Sequence, residues 1–342
     1  MSDVMIEARG LTKRYGPQRA LDNASFEVRK GQIVGFLGPN GAGKSTTMKI
    51  LTCFIAPSEG TAKINGHDIW ENPLGVRASI GYLPESTPLY PEMLVAEYLE
   101  FMGQMRGLKG AELGKRIKKV VDETSLGEVY AKEIRALSKG YKQRVGLAQA
   151  LIHEPPILIL DEPMSGLDPN QAQEIRDLIS DIGKSRTVLL STHNLSEVQV
   201  TCQRVLIVSK GKLVADDTPS ALTGRGRKRY VVTVTGDRGA SAKDVAAKVR
   251  DAFGKLGDVD TVRETSAKGS EVTVEITAAS GGDLRADIFR AALAAGAVLL
   301  ELRTVGANLE QVFRDLTVAP AAAAAADDED DDSSAADDEE DE

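Results

Sequence analysis

The sequence predicts an α/β layer fold over residues 1–223 and a smaller α+β unit over residues 229–318. Three observations carry this. The runs QIVGFLG (32–38), PILILD (156–161) and TVLLSTH (187–193) are apolar without alternation, as in strands buried on both faces. Longer helical patterns separate them, the order of a largely parallel sheet covered by helices. After Thr223-Gly-Arg-Gly-Arg-Lys the rhythm changes to alternating strands interleaved with helices.

Taken in order, the first run enters a glycine-rich turn and then a helix from Lys44. Residues 86–135 turn mostly helical, with LVAEYLEFMGQMRG and a Lys-rich amphipathic stretch, and read as an inserted helical subdomain. In the second unit RYVVTVT (229–235) reads as a strand and SAKDVAAKVRDAFGKL (241–256) as a helix. VDTVRETS and SEVTVEITA form a hairpin pair, GGDLRADIFRAALAAG is helical, and AVLLELRT (297–304) is a strand. That order is β-α-β-β-α-β, the ferredoxin-like pattern. A last helix, NLEQVFRDLT, closes the unit. Pro320, six alanines and an acidic run follow; residues 319–342 cannot bury a core and are expected to be disordered and dispensable for catalysis.

The formal charge of -9 belongs to that tail. Residues 327–342 hold 12 acidic and no basic side chains; 51 less those 12 leaves 39 acids against 42 bases. The folded part is close to neutral and shows no nucleic-acid footprint. Cys53 and Cys202 lie at no metal-like spacing in segments that read as helix, so buried reduced thiols are expected. The N-terminus MSDVMIEARG lacks the pattern of a signal peptide, and no apolar run is long enough to span a bilayer. The expectation is a soluble, cytoplasmic chain.

Residues 38–45, Gly38-Pro39-Asn40-Gly41-Ala42-Gly43-Lys44-Ser45, fit G-x-x-x-x-G-K-[ST] between a predicted strand and a predicted helix, followed by Thr46. Glycines let several N–H groups converge on phosphate oxygens, and the helix N-terminus favours negative charge. Lys44 is expected to neutralise the β- and γ-phosphates of ATP, and Ser45 to coordinate Mg²⁺. A phosphate loop also needs an acid at the tip of a buried strand. Asp161 supplies it, as a magnesium ligand through water. Glu162, one residue on, points differently, toward where an attacking water would sit.

LSKGYKQRVGLAQAL (137–151) precedes that strand and resembles the signature motif of ATP-binding cassette (ABC) ATPases, Leu-Ser-Gly-Gly-Gln. Ser138 and Gly140 match; Lys139 and Tyr141 depart. Ser165-Gly-Leu-Asp168 resembles the family's D-loop, and His193, closing the next strand, its switch histidine. Tyr15 in LTKRYG resembles the aromatic that stacks on adenine. Glu85 in YLPES stands where the family usually has glutamine, and would also face the metal. His67 and His153 match no motif and read as structural. The chain is similar to the drug-export and gliding-motility branch through YLPE, LSKGYKQRV and SGLDPNQ.

The resemblance implies a P-loop NTPase cassette with an inserted helical subdomain, and catalytic roles for Glu162, His193 and Lys44. It further implies that ATP is held between one chain's phosphate loop and the signature residues 138–141 of another. The partners implied are a second cassette, in a homodimer or a related pair, and separate membrane-spanning permease subunits. The chain would then lie on the inner face of the membrane. The rival is a soluble ABC ATPase acting on ribosomes or DNA. For the C-terminal unit, a sensing or dimerisation module and a fold that merely packs on the cassette remain open.

Overall fold

The computed structural model describes residues 3–225, 228–236, 241–279, 282–305 and 309–317. Its centre is a six-stranded sheet in the order Lys212–Asp217, Arg204–Ser209, Ile33–Leu37, Thr187–Thr192, Ile157–Asp161, Ile80–Leu83. All neighbours pair in parallel except the edge strand Lys212–Asp217. The three apolar runs occupy the middle, and every residue of Ile33–Leu37, Ile157–Asp161 and Thr187–Thr192 is buried. Their side chains alternate between two cores. Leu158, Leu160, Val188 and Leu190 face the helical side. Ile157, Ile159, Leu189 and Phe36 face the other. Burial on both faces is why these strands carry no polar alternation.

The second core lies against a sheet that the sequence reading did not foresee. Val4–Tyr15, Gln18–Arg29, Glu59–Ile64 and His67–Asp68 form an antiparallel four-stranded layer. Its longest pair slips register at several points, so the inward residues do not keep a strict two-residue period. That irregularity hid the strands.

Helices Val95–Met105 and Gly110–Glu123 and two short 3₁₀ turns fill residues 95–136. They pack against the helix Lys139–Leu151 through Val95, Leu99, Leu113, Ile117 and Val120, all buried in the helical-side core. The cysteines depart from expectation: each lies just past a helix end. The helix Lys44–Leu51 stops where Thr52 Oγ1 bonds back to Met48 O, and Cys53 then takes a left-handed φ of 54°. Cys202 follows Leu195–Thr201, and burial, then the nearby Glu197 charge, pushes its thiol up to about 12. It is a buried, inert thiol. His153 lies against Ile80 O; burial, then the Arg106 charge, lowers its pKa to about 4, so it is neutral.

Beyond residue 228, four antiparallel strands lie in the order Val259–Lys268, Glu271–Ala278, Arg229–Thr235, Val298–Val305. Helices Ala242–Gly254 and Arg285–Ala294 cover one face and share a separate core with Tyr230, Val232, Val274, Phe253 and Ile288. The last helix, Leu309–Thr317, corrects the expectation that it closes this unit. Leu309 and Val312 are buried in the cassette's helical-side core, and Phe313 and Leu316 pack against it. Ser209 Oγ donates to Thr317 O at 3.4 Å. The helix's place next to the second unit in sequence could not say which core it joins. Among the described residues, no helix is long and apolar enough to cross a membrane.

Candidate functional site

The parallel sheet brings its strand ends to one edge. Leu37 pairs with Thr192, and Asp161 with Ser191, so the phosphate loop, the acidic pair and the His193 loop leave the sheet side by side. A crevice at the carboxyl ends of parallel strands is where α/β proteins bind ligands.

The helix after the loop begins at Lys44, and its N-cap is Gly43, with φ 105° and no side-chain cap. A β-carbon on Gly43 would lie 2.4 Å from Ala20 O, so neither that backbone angle nor that approach admits another residue. With no side chain over it, the first turn keeps its N–H groups for an anion. Lys44 Nζ folds back over the loop and donates to Gly38 O at 2.9 Å and Pro39 O at 3.3 Å.

The two acids are held differently. Asp161 is buried and accepts from Ser45 Oγ at 3.2 Å and from Ser191 Oγ. Glu162 sits just past the strand with φ 47°, a left-handed geometry uncommon outside glycine and often found at functional sites. Its N–H donates to Ser191 Oγ at 3.0 Å and Ser191 O at 3.2 Å. That turn throws its carboxylate into the crevice. One oxygen lies 3.2 Å from Lys44 Nζ, with both side chains under a tenth exposed. The other lies 2.9 Å from His193 Nδ1. A carboxylate can only accept, so Nδ1 carries the proton and Nε2 is the ring's other face.

The crevice has a volume of about 480 Å³. Tyr15, Asn40, Gly41, Gly43, Lys44, Ser45, Thr46, Glu85, Glu162 and His193 line it, together with Gln18, Ala20 and Ser165. Tyr15 stands half exposed at one end, and Lys13 Nζ lies 5.4 Å from its ring centre. Gly38, Pro39 and Ala42 lie behind the lining; Ala42 N donates to Pro39 O and its carbonyl accepts from Gly211 N. Asp161 sits beneath it. Ser138, Lys139, Gly140, Tyr141 and Asp168 are not among the lining residues. Ser138 caps the helix Lys139–Leu151, accepting from Tyr141 N at 3.3 Å, and Asp168 caps Pro169–Gly183. Lys139 lies over the D-loop: a β-carbon on Gly166 would meet its Nζ at 2.2 Å.

Ser191 escaped sequence reasoning, because a serine inside an apolar strand gives no signal until the strands are paired. Gln143, on the helix Lys139–Leu151, escaped because its partners lie far away in sequence: it donates to Pro163 O at 2.8 Å and accepts from Thr87 Oγ1 at 3.1 Å. It thereby ties the signature helix to the acidic turn and to the loop carrying Glu85.

Comparison with known proteins decides the family. A family model described as ABC transporter matches residues 21–165. The linearmycin resistance ATP-binding protein LnrL of Bacillus subtilis (strain 168) is 31% identical over 92% of this chain and 98% of its own length. The chain belongs to the ABC transporter ATP-binding family. The daunorubicin resistance ATP-binding protein DrrA3 of Streptomyces coeruleorubidus is 35% identical over 70% of this chain and 78% of its own. Among solved structures, cbiO1 from Clostridium perfringens, part of the ABC transporter complex cbiONQ, superposes with a TM-score of 0.60 at 28% identity. It covers 65% of this chain and 91% of that one. A dimeric cassette in a post-hydrolysis state, bound to ADP and Pi, gives 0.57 at 25% identity over 63% of this chain and 98% of its own. This ABC protein is a nucleotide-binding ATPase subunit of a transporter, built on the P-loop cassette fold.

Proposed function

We propose that this ABC subunit powers an exporter by closing on a second cassette around ATP and reopening after hydrolysis. One observation carries the reading. The crevice holds a phosphate loop, an acid pair and a histidine, while Ser138 and Gly140, at the Ser138-capped start of the helix Lys139–Leu151, lie outside it. A single chain therefore offers two half-sites that do not meet, and two chains head to tail would join them. That the relative bound to ADP and Pi is dimeric supports a pairing of two chains.

Within the joined site the roles follow from position. Lys44 and the loop N–H groups would hold the phosphates, and Tyr15 would stack on the base. Glu162 would take the proton of the attacking water, and His193 would orient Glu162 and face the γ-phosphate. Ser45 and Asp161 fit Mg²⁺, which favours a few oxygen ligands and retained waters; their oxygens already lie 3.2 Å apart. Glu85, on the crevice wall, is the third candidate ligand. Bound there, the ion would neutralise charge on the β- and γ-oxygens.

The resistance names of the relatives favour an exporter, with the chain held at the inner membrane face by permease subunits, over a soluble ATPase acting on ribosomes or DNA. The four-stranded unit supports a ferredoxin-like accessory domain. We divide the chain into a cassette, 1–223, and that unit, 229–305, with the last helix returned to the cassette. The acidic run 327–342 lies outside the described residues. Light scattering with Mg²⁺ and a non-hydrolysable ATP analogue tests the dimer. The chain should double in mass with the analogue and not with ADP. Ser138→Arg should stay monomeric while still binding the analogue. One mass under every condition would overturn the reading.

A further inference from the structure

The helix Leu309–Thr317 has no role in the site as described so far, yet it borders the switch loop. A second cleft, of about 610 Å³, opens on the far side of His193. His193, Asn194, Leu195 and Ser196 form one wall; Glu310, Phe313, Arg314 and Thr317 form the other. The imidazole thus stands between the nucleotide crevice and the last helix.

His193 needs such support. Its side chain is 53% exposed, and Nδ1 bonds Glu162 Oε2. The loop behind it is tied at its start, where Thr192 Oγ1 donates to Glu197 Oε2 at 2.6 Å and Asn194 N donates to Thr192 Oγ1 at 3.0 Å. Asn194 Nδ2 also donates to Glu197 Oε1 at 3.2 Å, and Asn194 Oδ1 accepts from Ser196 N and Oγ; the contact to the rest of the fold is apolar. Leu195 packs against the same core as Phe313 and Leu316, the core in which Leu309 and Val312 are buried. The helix lies at the far end of the four-stranded unit in sequence and packs on the cassette beside the switch.

We propose that the helix Leu309–Thr317 braces the switch loop, making Phe313 a positioning residue that acts on hydrolysis through His193. This rests on the proposed role of His193. In sequence the four-stranded unit then lies between the cassette and its brace. Displacing a reacting group by about 1 Å can cost ~10²-fold in rate, so a loosened loop should show in turnover before it shows in binding.

The test uses the full chain. Phe313→Ala should lower kcat by about tenfold or more while the KM for ATP changes little. Phe313→Leu, which keeps an apolar side chain against the core, should restore most of it. Phe313→Ala added to His193→Ala should lower kcat no further, since residues that act through one group are not additive. A wild-type kcat per folded molecule in Phe313→Ala, with only a lower Tm, would overturn the brace as a merely structural contact. A full further loss in the double variant would overturn the route through His193. A wild-type rate in His193→Ala alone would remove the histidine's role, and the proposal with it, while leaving the composite site standing.

Discussion

Glu162→Gln is expected to slow ATP hydrolysis by ~10²–10⁴-fold, the usual contribution of a positioned general base, or roughly 3–5 kcal/mol of barrier. The substitution keeps size and can still hydrogen-bond a water, but it cannot take that water's proton. Nucleotide binding should survive and tighten. In the structure Lys44 Nζ lies 3.2 Å from Glu162 Oε1 in a pocket where both are buried. Phosphate oxygens would compete with that carboxylate for one ammonium, and glutamine removes the competitor. Single-turnover kinetics and ATP titration with Mg²⁺ measure the two effects separately. A near-normal rate would remove the catalytic assignment; weaker binding would contradict the competition.

Lys44→Ala should abolish hydrolysis and weaken ATP binding strongly. Hydrogen bonds to charged groups contribute about 1.5–3 kcal/mol each, so losing those to two phosphates predicts an affinity loss of roughly 10²–10⁴-fold. The same change leaves the buried Glu162 carboxylate facing His193 without the ammonium, and breaking a buried pair is destabilising. Lys44→Ala should therefore also lower Tm, whereas Lys44→Ala with Glu162→Gln should recover part of that loss without recovering activity. Calorimetry with and without nucleotide reads both. Normal turnover in Lys44→Ala would mean that the loop does not hold the phosphates.

What the sequence made legible was what depends on local pattern. Unbroken apolar runs gave the central strands, since burial on both faces removes alternation, and strand, glycine turn and helix in succession gave the phosphate loop. Motif order gave Glu162 and His193, and pairing of the strands then brought them within 2.9 Å. What stayed hidden depends on distant parts meeting. The antiparallel layer was masked by register slips along Val4–Tyr15. Ser191 matters because its strand lies beside Asp161. The last helix is legible as a helix, but only packing shows that Leu309 and Val312 enter the cassette core.

Mixing two inactive variants tests the central claim, a site shared between chains, most directly. Lys44→Ala lacks a working phosphate loop and keeps its signature residues; Ser138→Arg lacks a working signature and keeps its loop. In a mixed pair one of the two composite sites is intact. Each variant alone should be nearly silent in a steady-state ATPase assay with Mg²⁺, and the equimolar mixture should recover activity that grows with protein concentration. A mixture as silent as its components, with both chains folded and the Ser138→Arg chain still binding ATP, would contradict the shared site.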